Sequence, residues 1–275
     1  MADRNKHAAF REKYGPWALI TGGSAGIGEA FAWILAERGL NLILVARNQE
    51  RLEQKAADIQ AQNPTIQIRT HQADLSLSGI IEPLLQATAD LDIGLVIPNA
   101  AMETNGAFLK NNFGDEQRLI QLNILAPAQL AHHYGRLMSQ RGHGGILFVS
   151  SIAGYSPTPF MANYGASKAY IISLSESLHY ELKPKGIDVL VLSPGLTDTP
   201  LATNSGIDWA QLYVPHMDSD TTALTAIKAL GRKSSVIPGF TNSLIVFARK
   251  YLLTRTLNLT LIGHLLQRAV SRERQ

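Results

Sequence analysis

Short apolar runs alternate with longer segments of helical spacing along the 275 residues. WALIT (17–21), NLILVA (41–46), IQIRTHQA (66–73), GLVIP (94–98), GILFVS (145–150), IDVLVLS (187–193) and SSVIP (234–238) read as strands. Most of them are apolar at successive rather than alternate positions, as strands covered on both faces are. Between them, GIGEAFAWILAERG (26–39), NQERLEQKAADIQAQNP (48–64) and NYGASKAYIISLSESLHYELKPKG (163–186) carry helical spacing and stop at glycine or proline. Strand, helix and strand repeated in this way predict right-handed crossovers and an α/β fold, a doubly wound seven-stranded parallel sheet with helices on both faces. Ligands then gather beyond the carboxyl ends of the strands.

No linker, repeat or biased segment divides the chain, so one domain is expected over 1–275, with its core at about 15–239. There is no cysteine, which excludes thiol nucleophiles, disulfides and thiolate metal sites, and no metal site is expected. The polar, charged start MADRNKHAAFREKYG has no apolar run of signal-peptide length, and a cytoplasmic location is the default expectation. The net charge of +3 is unevenly placed: residues 228–275 hold nine Lys or Arg against Glu273 alone, which is +8, leaving −5 for the rest. No nucleic-acid module accompanies these basic residues, so no nucleic-acid partner is expected.

TGGSAGIG (21–28) joins the first strand to the first helix. Gly22 suits the tight turn, Gly26 a close approach of backbone to a pyrophosphate, and Gly28 the packing of helix on sheet. At the end of the second strand, where an acid commonly binds a ribose 2′-hydroxyl, stand Ala46 and Arg47, with Arg51 one turn on. An arginine there pairs with a 2′-phosphate, which favours NADP(H) over NAD(H). Asp74, after the third strand, suits either an acceptor for the adenine amine or a helix cap.

Tyr164 and Lys168 are four apart within a helical segment and share one face. Bringing a phenol from a pKa of about 10 to near 7 requires roughly 4 kcal/mol. One cation about 4 Å away at an effective dielectric of about 20 supplies an effect of that size. Ser151, at the end of the fifth strand, can hold a carbonyl oxygen while Tyr164 delivers a proton to it. A Ser/His/Asp hydrolase is disfavoured, because no Gly-x-Ser-x-Gly elbow surrounds this serine.

Taken together, these residues resemble the short-chain dehydrogenase/reductase family in its compact, single-domain Rossmann form. The likeness covers roughly residues 17–238 and rests on Thr21-Gly22-x3-Gly26-x-Gly28, Asp74, Asn99-Ala100, Asn123, Ser151, Tyr164-x3-Lys168 and Pro194-Gly195-x3-Thr199, in family order. It implies that Tyr164 donates the proton in reduction and that Lys168 lowers its pKa and holds the nicotinamide ribose. It further implies that Ser151 orients the carbonyl and that Asn123 holds a water relaying protons to Lys168. Pro194, Gly195, Thr197 and Thr199 would cradle the nicotinamide carboxamide, and Ser24, Ile27 and Leu75 would join the cofactor contacts. Where the family has Asn-Asn-Ala-Gly, this chain reads Pro98-Asn99-Ala100-Ala101, so a shift in binding near the adenine ribose is expected. The opening also looks similar to very-long-chain 3-ketoacyl reductases and 17β-hydroxysteroid dehydrogenases.

The implied activity is NADPH-dependent reduction of an apolar ketone, reversible as an alcohol dehydrogenase; the alternative is a nucleotide-bound sensor or scaffold without turnover. In the expected substrate loop (about 197–217), Leu201, Trp209, Leu212 and Tyr213 fit either an apolar ketone or ordinary packing of a helix on the core. Beyond it, a C-terminal helical extension (about 240–275) mixes leucines with Arg249, Lys250, Arg255, Arg268 and Arg272, which break any membrane-spanning run. Two readings of it remain: helices that close the cleft or build a homo-oligomer (dimer or tetramer), and, less favoured, peripheral contact with an anionic membrane.

Overall fold

A computed structural model describes residues 2–212 and 214–270. The seven strands are β1 (Trp17–Thr21), β2 (Asn41–Ala46), β3 (Ile68–Gln72), β4 (Ile93–Ile97), β5 (Gly144–Val149), β6 (Ile187–Leu192) and β7 (Ser235–Val236). They form one sheet in the order β3-β2-β1-β4-β5-β6-β7, every pairing parallel. The helices are α1 (Ala2–Tyr14), α2 (Gly26–Glu37), α3 (Gln49–Gln62), α4 (Ile81–Ala87), α5 (Phe113–Ile120), α6 (Ala126–Arg141), α7 (Ala162–Leu182), α8 (Pro200–Thr203), α9 (Ser219–Ala229), α10 (Phe240–Phe247) and α11 (Arg255–Ala269).

The strands are apolar throughout because the sheet is covered twice. Alternate residues such as Ile20, Leu44 and Leu190 face Phe31 and Leu35 of α2, Leu52 of α3 and Ala226 of α9. Their neighbours Leu19, Ile43 and Val189 face Leu84 of α4, Leu130 and Met138 of α6 and Ile171 of α7. Strand order reverses between β1 and β4, which opens the crevice where this architecture binds ligands.

Helix α1 lies outside the expected core. It docks through its last residue: Tyr14 is buried, and its hydroxyl donates to Asp188 Oδ2 at 2.5 Å. Gly94 and Gly145 lie against it, where a Cβ would clash with the Tyr14 backbone and ring respectively. The C-terminal extension forms α10, a π-helical turn (Ala248–Leu252) and α11, and its end is tied to the substrate loop by the Ile207–Val270 bridge. Among the described residues no helix is long and apolar enough to cross a membrane.

Candidate active site

The carboxyl ends of the strands open onto one cleft of about 1360 Å³. At its floor, Thr21 Oγ1 accepts the backbone N–H groups of Asn99 and Ala100 at 3.0 Å each, and Asn99 Nδ2 donates to the Thr21 carbonyl at 2.9 Å. The turns after β1 and β4 are thereby tied together where the strand order reverses. Gly22 has a φ of +70°, and a Cβ at Gly28 would stand 2.2 Å from the Gly22 carbonyl oxygen, so neither position admits a side chain. The N-cap of α2, Ala25, supplies no side-chain acceptor, leaving the N–H groups of the first turn open beside Ser24, Gly26 and Ile27 on the cleft wall. A dinucleotide pyrophosphate fits such a helix end.

Proline at 98 and alanine at 101 disturb this floor little. The Asn99 and Ala100 N–H groups are held by Thr21, and Ala101 has no positive φ, Phe160 being the one non-glycine residue that does among those described.

Arg47 and Arg51 are exposed at the cleft rim after β2, and neither forms an ion pair among the described residues. Asp74 and Leu75 line the adjoining wall. Asp74 caps no helix, since α4 begins at Ile81; it holds its own turn instead. Its Oδ1 accepts the Ser76 N–H (3.1 Å) and hydroxyl (2.6 Å), and its Oδ2 accepts from Arg118 at 2.9 Å. Burial opposes its ionisation, but the Ser76 hydrogen bonds and the charges of Arg118 and Arg47 prevail and hold its pKa below the usual value. Across the cleft, Pro194, Gly195, Thr197 and Thr199 form the opposite wall, and Thr199 caps α8 by accepting the Ala202 N–H. Gly195 packs so closely on buried Asn242 of α10 that a Cβ would lie 2.5 Å from Oδ1.

The chemical end of the cleft is set by α7 against the end of β5. Ser150 Oγ donates to the Lys168 carbonyl at 2.7 Å, Lys168 Nζ donates to the Val149 carbonyl at 3.2 Å, and Ser167 Oγ donates to the Tyr164 carbonyl at 2.7 Å. Both Tyr164 and Lys168 are buried and line the cleft, with Nζ 5.6 Å from the centre of the phenol ring. Ser151 stands beside them, its Oγ accepting the Ala153 N–H at 3.2 Å.

The electrostatics differ from the sequence expectation. Burial, and then the negative charge of Glu103, push Tyr164 well above the usual phenol range, with the Ser151 hydroxyl pulling weakly the other way. Lys168 is itself pulled down to about 8 by burial, with Glu103 opposing. Taking both groups out of water thus outweighs the attraction between ammonium and phenolate that the four-residue spacing suggested.

Asn123 sits in a π-helical turn (Gln121–Leu125) behind the cleft surface rather than on it, as Gly28 does. Its Oδ1 accepts the Met102 N–H at 3.0 Å, and its Nδ2 donates to the Met102 carbonyl (2.8 Å) and Ser167 Oγ (3.1 Å). Both amide hydrogens are engaged, so the side chain pins the loop after β4 to α7.

Of the substrate-loop residues, Leu201, Trp209 and Leu212 line the cleft, while Tyr213 falls outside the described residues. A second wall comes from the C-terminal extension, for which closing the cleft was one of the expected uses. Ile262 and Leu266 of α11 pack with Met161, Tyr164 and Leu119, and Ile245, Arg249 and Leu261 also face the cleft. Sequence reasoning missed Glu103, whose single signal was a lone acid three residues after the Asn-Ala pair.

A parallel sheet that reverses at a glycine turn opening a helix, with a phenol and an ammonium beside it, is the arrangement of an oxidoreductase that works with a nicotinamide cofactor. The short chain dehydrogenase family model matches residues 16–208, and the chain belongs to the short-chain dehydrogenase/reductase family. Its relatives include a 7beta-hydroxysteroid dehydrogenase of Clostridium sardiniense, 33% identical over 233 residues, which cover 85% of this chain and 89% of the relative. They also include a very-long-chain 3-oxoacyl-CoA reductase of Mus musculus, 33% identical over 80% of this chain and 70% of the relative. Among solved structures, a 7beta-hydroxysteroid dehydrogenase superposes with a TM-score of 0.85 at 30% identity, over 92% of this chain and 98% of its own. A short-chain dehydrogenase from Sphingobium yanoikuyae in complex with NADPH gives 0.77 at 33% identity, over 86% and 95%.

Proposed function

We propose that the protein is an NADPH-dependent reductase of an apolar ketone, reversible as a dehydrogenase of the secondary alcohol. The observation that carries this reading is the convergence of Tyr164, Lys168 and Ser151 at the point where the phosphate-accepting half of the cleft meets the wall of Trp209, Leu212 and Ile262. When bound, the nicotinamide supplies the hydride in reduction and takes it in oxidation. Tyr164 keeps its proton through the neutral range, the state required of a donor to the developing alkoxide. Ser151 Oγ orients the carbonyl oxygen toward that phenol. Lys168 holds the ribose hydroxyls and restrains the phenol ring. The preference for NADPH rests on Arg47 and the missing acid at the end of β2; the NADPH complex of the Sphingobium yanoikuyae enzyme is consistent with it. A hydrophobic substrate is supported by the apolar wall and by the steroid and 3-oxoacyl-CoA names of the relatives.

The test is oxidation of NADPH and NADH followed across a panel of cyclic, steroidal and long-chain ketones. Turnover with NADPH, faster for apolar ketones and slower with NADH, supports the reading. Saturable NADPH binding without turnover of any ketone would replace the enzyme with a sensor.

A further inference from the structure

We propose that Glu103 determines specificity in the substrate half of the cleft. It accepts a hydrogen bond from a hydroxyl that the ketone carries near its reacting carbonyl, so the substrate is a neutral hydroxy-ketone or, in reverse, a diol. The inference rests on the reductase reading and adds a second polar contact to it.

Two glutamates on neighbouring segments are treated oppositely by the fold. Glu116, buried at the start of α5, is fully provided for: Thr104 Oγ1 (3.0 Å), Asn111 Nδ2 (2.7 Å) and Asn163 Nδ2 (2.8 Å) all donate to its carboxylate. Glu103 lines the cleft, and its Oε1 is buried with no hydrogen-bond partner. Seven buried side-chain atoms among the described residues have no such partner, and of these only Glu103 Oε1 belongs to a residue that lines the cleft. Neither Lys168 nor Asn123 is hydrogen-bonded to it among the described residues. Lys168 Nζ donates to Val149 and makes no ion pair with Glu103 among the described residues. The Asn123 amide donates to Met102 and Ser167.

Placement is firm as well. The Asn123 side chain grips both backbone groups of Met102, so the next residue is presented from a rigid support. Glu103 lines the same cleft as Tyr164, Lys168 and Ser151. The chemistry of the donor follows from these neighbours. A substrate ammonium would meet the Lys168 charge, and a substrate carboxylate would meet Glu103 itself. A hydroxyl satisfies the oxygen without either repulsion. A site arranged in this way disfavours an analogue lacking the hydroxyl, because its acceptor is then left unpaired.

The experiment compares kcat/KM for cyclohexanone with that for 2-, 3- and 4-hydroxycyclohexanone, with NADPH, in the wild type, Glu103→Leu and Glu103→Gln. Wild type is expected to favour at least one hydroxy-ketone over the parent by more than tenfold. Glu103→Leu should bring that ratio to within about threefold of unity, and Glu103→Gln, which keeps an acceptor oxygen, should retain part of it. NADPH titration and thermal melting establish that each variant is folded; if the leucine variant is not, Glu103→Met takes its place. A wild type without preference, or a preference unchanged in Glu103→Leu, overturns the inference while leaving the reductase reading intact. A wild type that reduces no ketone, in this set or the wider panel, overturns both.

Discussion

The Lys168 ammonium lies 5.6 Å from the centre of the Tyr164 ring, held there because Nζ donates to the Val149 carbonyl at the end of β5. That anchor fixes the cation beside the face of the phenol, and burial makes both groups reluctant to ionise. On the proposed reading, replacing the phenol removes the group that gives its proton to the carbonyl oxygen. Tyr164→Phe is expected to lower kcat about 10²- to 10⁴-fold while NADPH still saturates in a fluorescence titration. Residual turnover within a few-fold of wild type would assign the proton to another group.

At the other end of the cleft, Arg47 is exposed and has no ion-pair partner among the described residues. A guanidinium free to pair with a 2′-phosphate contributes a charge-assisted hydrogen bond of about 1.5–3 kcal/mol. Arg47→Ala should therefore weaken NADPH binding roughly 10- to 100-fold and NADH binding hardly at all, as measured by calorimetry. Equal losses for the two cofactors would remove the argument for the phosphate.

Glu103 also links stability to pH. Burial pushes its carboxyl up to about 7 from the ordinary 4.5, with the Lys168 charge opposing. Between those values the native state binds a proton that the unfolded chain does not, so stability falls as pH rises through that window. The contribution is on the order of 3 kcal/mol. Glu103→Gln should abolish it. In urea unfolding the variant is expected to match wild type near pH 4.5 and to exceed it near pH 8. Lys168, lowered to about 8 from 10.5, has the opposite sign: its stability contribution rises with pH between 8 and 10.5 in both proteins. A pH dependence identical in the two proteins below pH 8 would place the carboxyl in water.

Tyr14 tests whether α1 belongs to the folded unit. Its hydroxyl donates to Asp188 Oδ2, which also pairs with Lys13, and burial followed by the Asp188 charge raises its pKa well above the phenol range. Removing the hydroxyl leaves Asp188 with one partner fewer. Tyr14→Phe should cost about 1–2 kcal/mol in urea unfolding with ketone turnover unchanged, since the site lies at the amino ends of β4 and β5. An unaltered stability would mean that the Tyr14 hydroxyl takes no part in holding α1.

Much of the fold was legible because a twice-covered parallel strand has to be apolar at every position, and the glycine turn can be nothing else at Gly22 and Gly28. The same holds for Tyr164, Lys168 and Ser151, whose spacing placed them on one helix face and one strand end. Helix α1 was not legible, since it is polar along most of its length and docks chiefly through Tyr14. That the extension could close the cleft was expected, but which residues of α11 face it was not legible, because its leucines are divided between the cleft and the surface, where Leu257 and Leu259 are exposed.

Sequence by itself determined which elements exist, their order around the crevice and the residue types that gather at the strand ends, because these follow from periodicity and from sterics local to each turn. Tertiary structure alone decided the charge states and the shape of the substrate half. Burial of Tyr164 and Lys168, the grip of Asn123 on Met102 and the unmatched oxygen of Glu103 all arise from segments far apart in the chain. Desolvation depends on everything that surrounds a group, and no spacing along a chain records it.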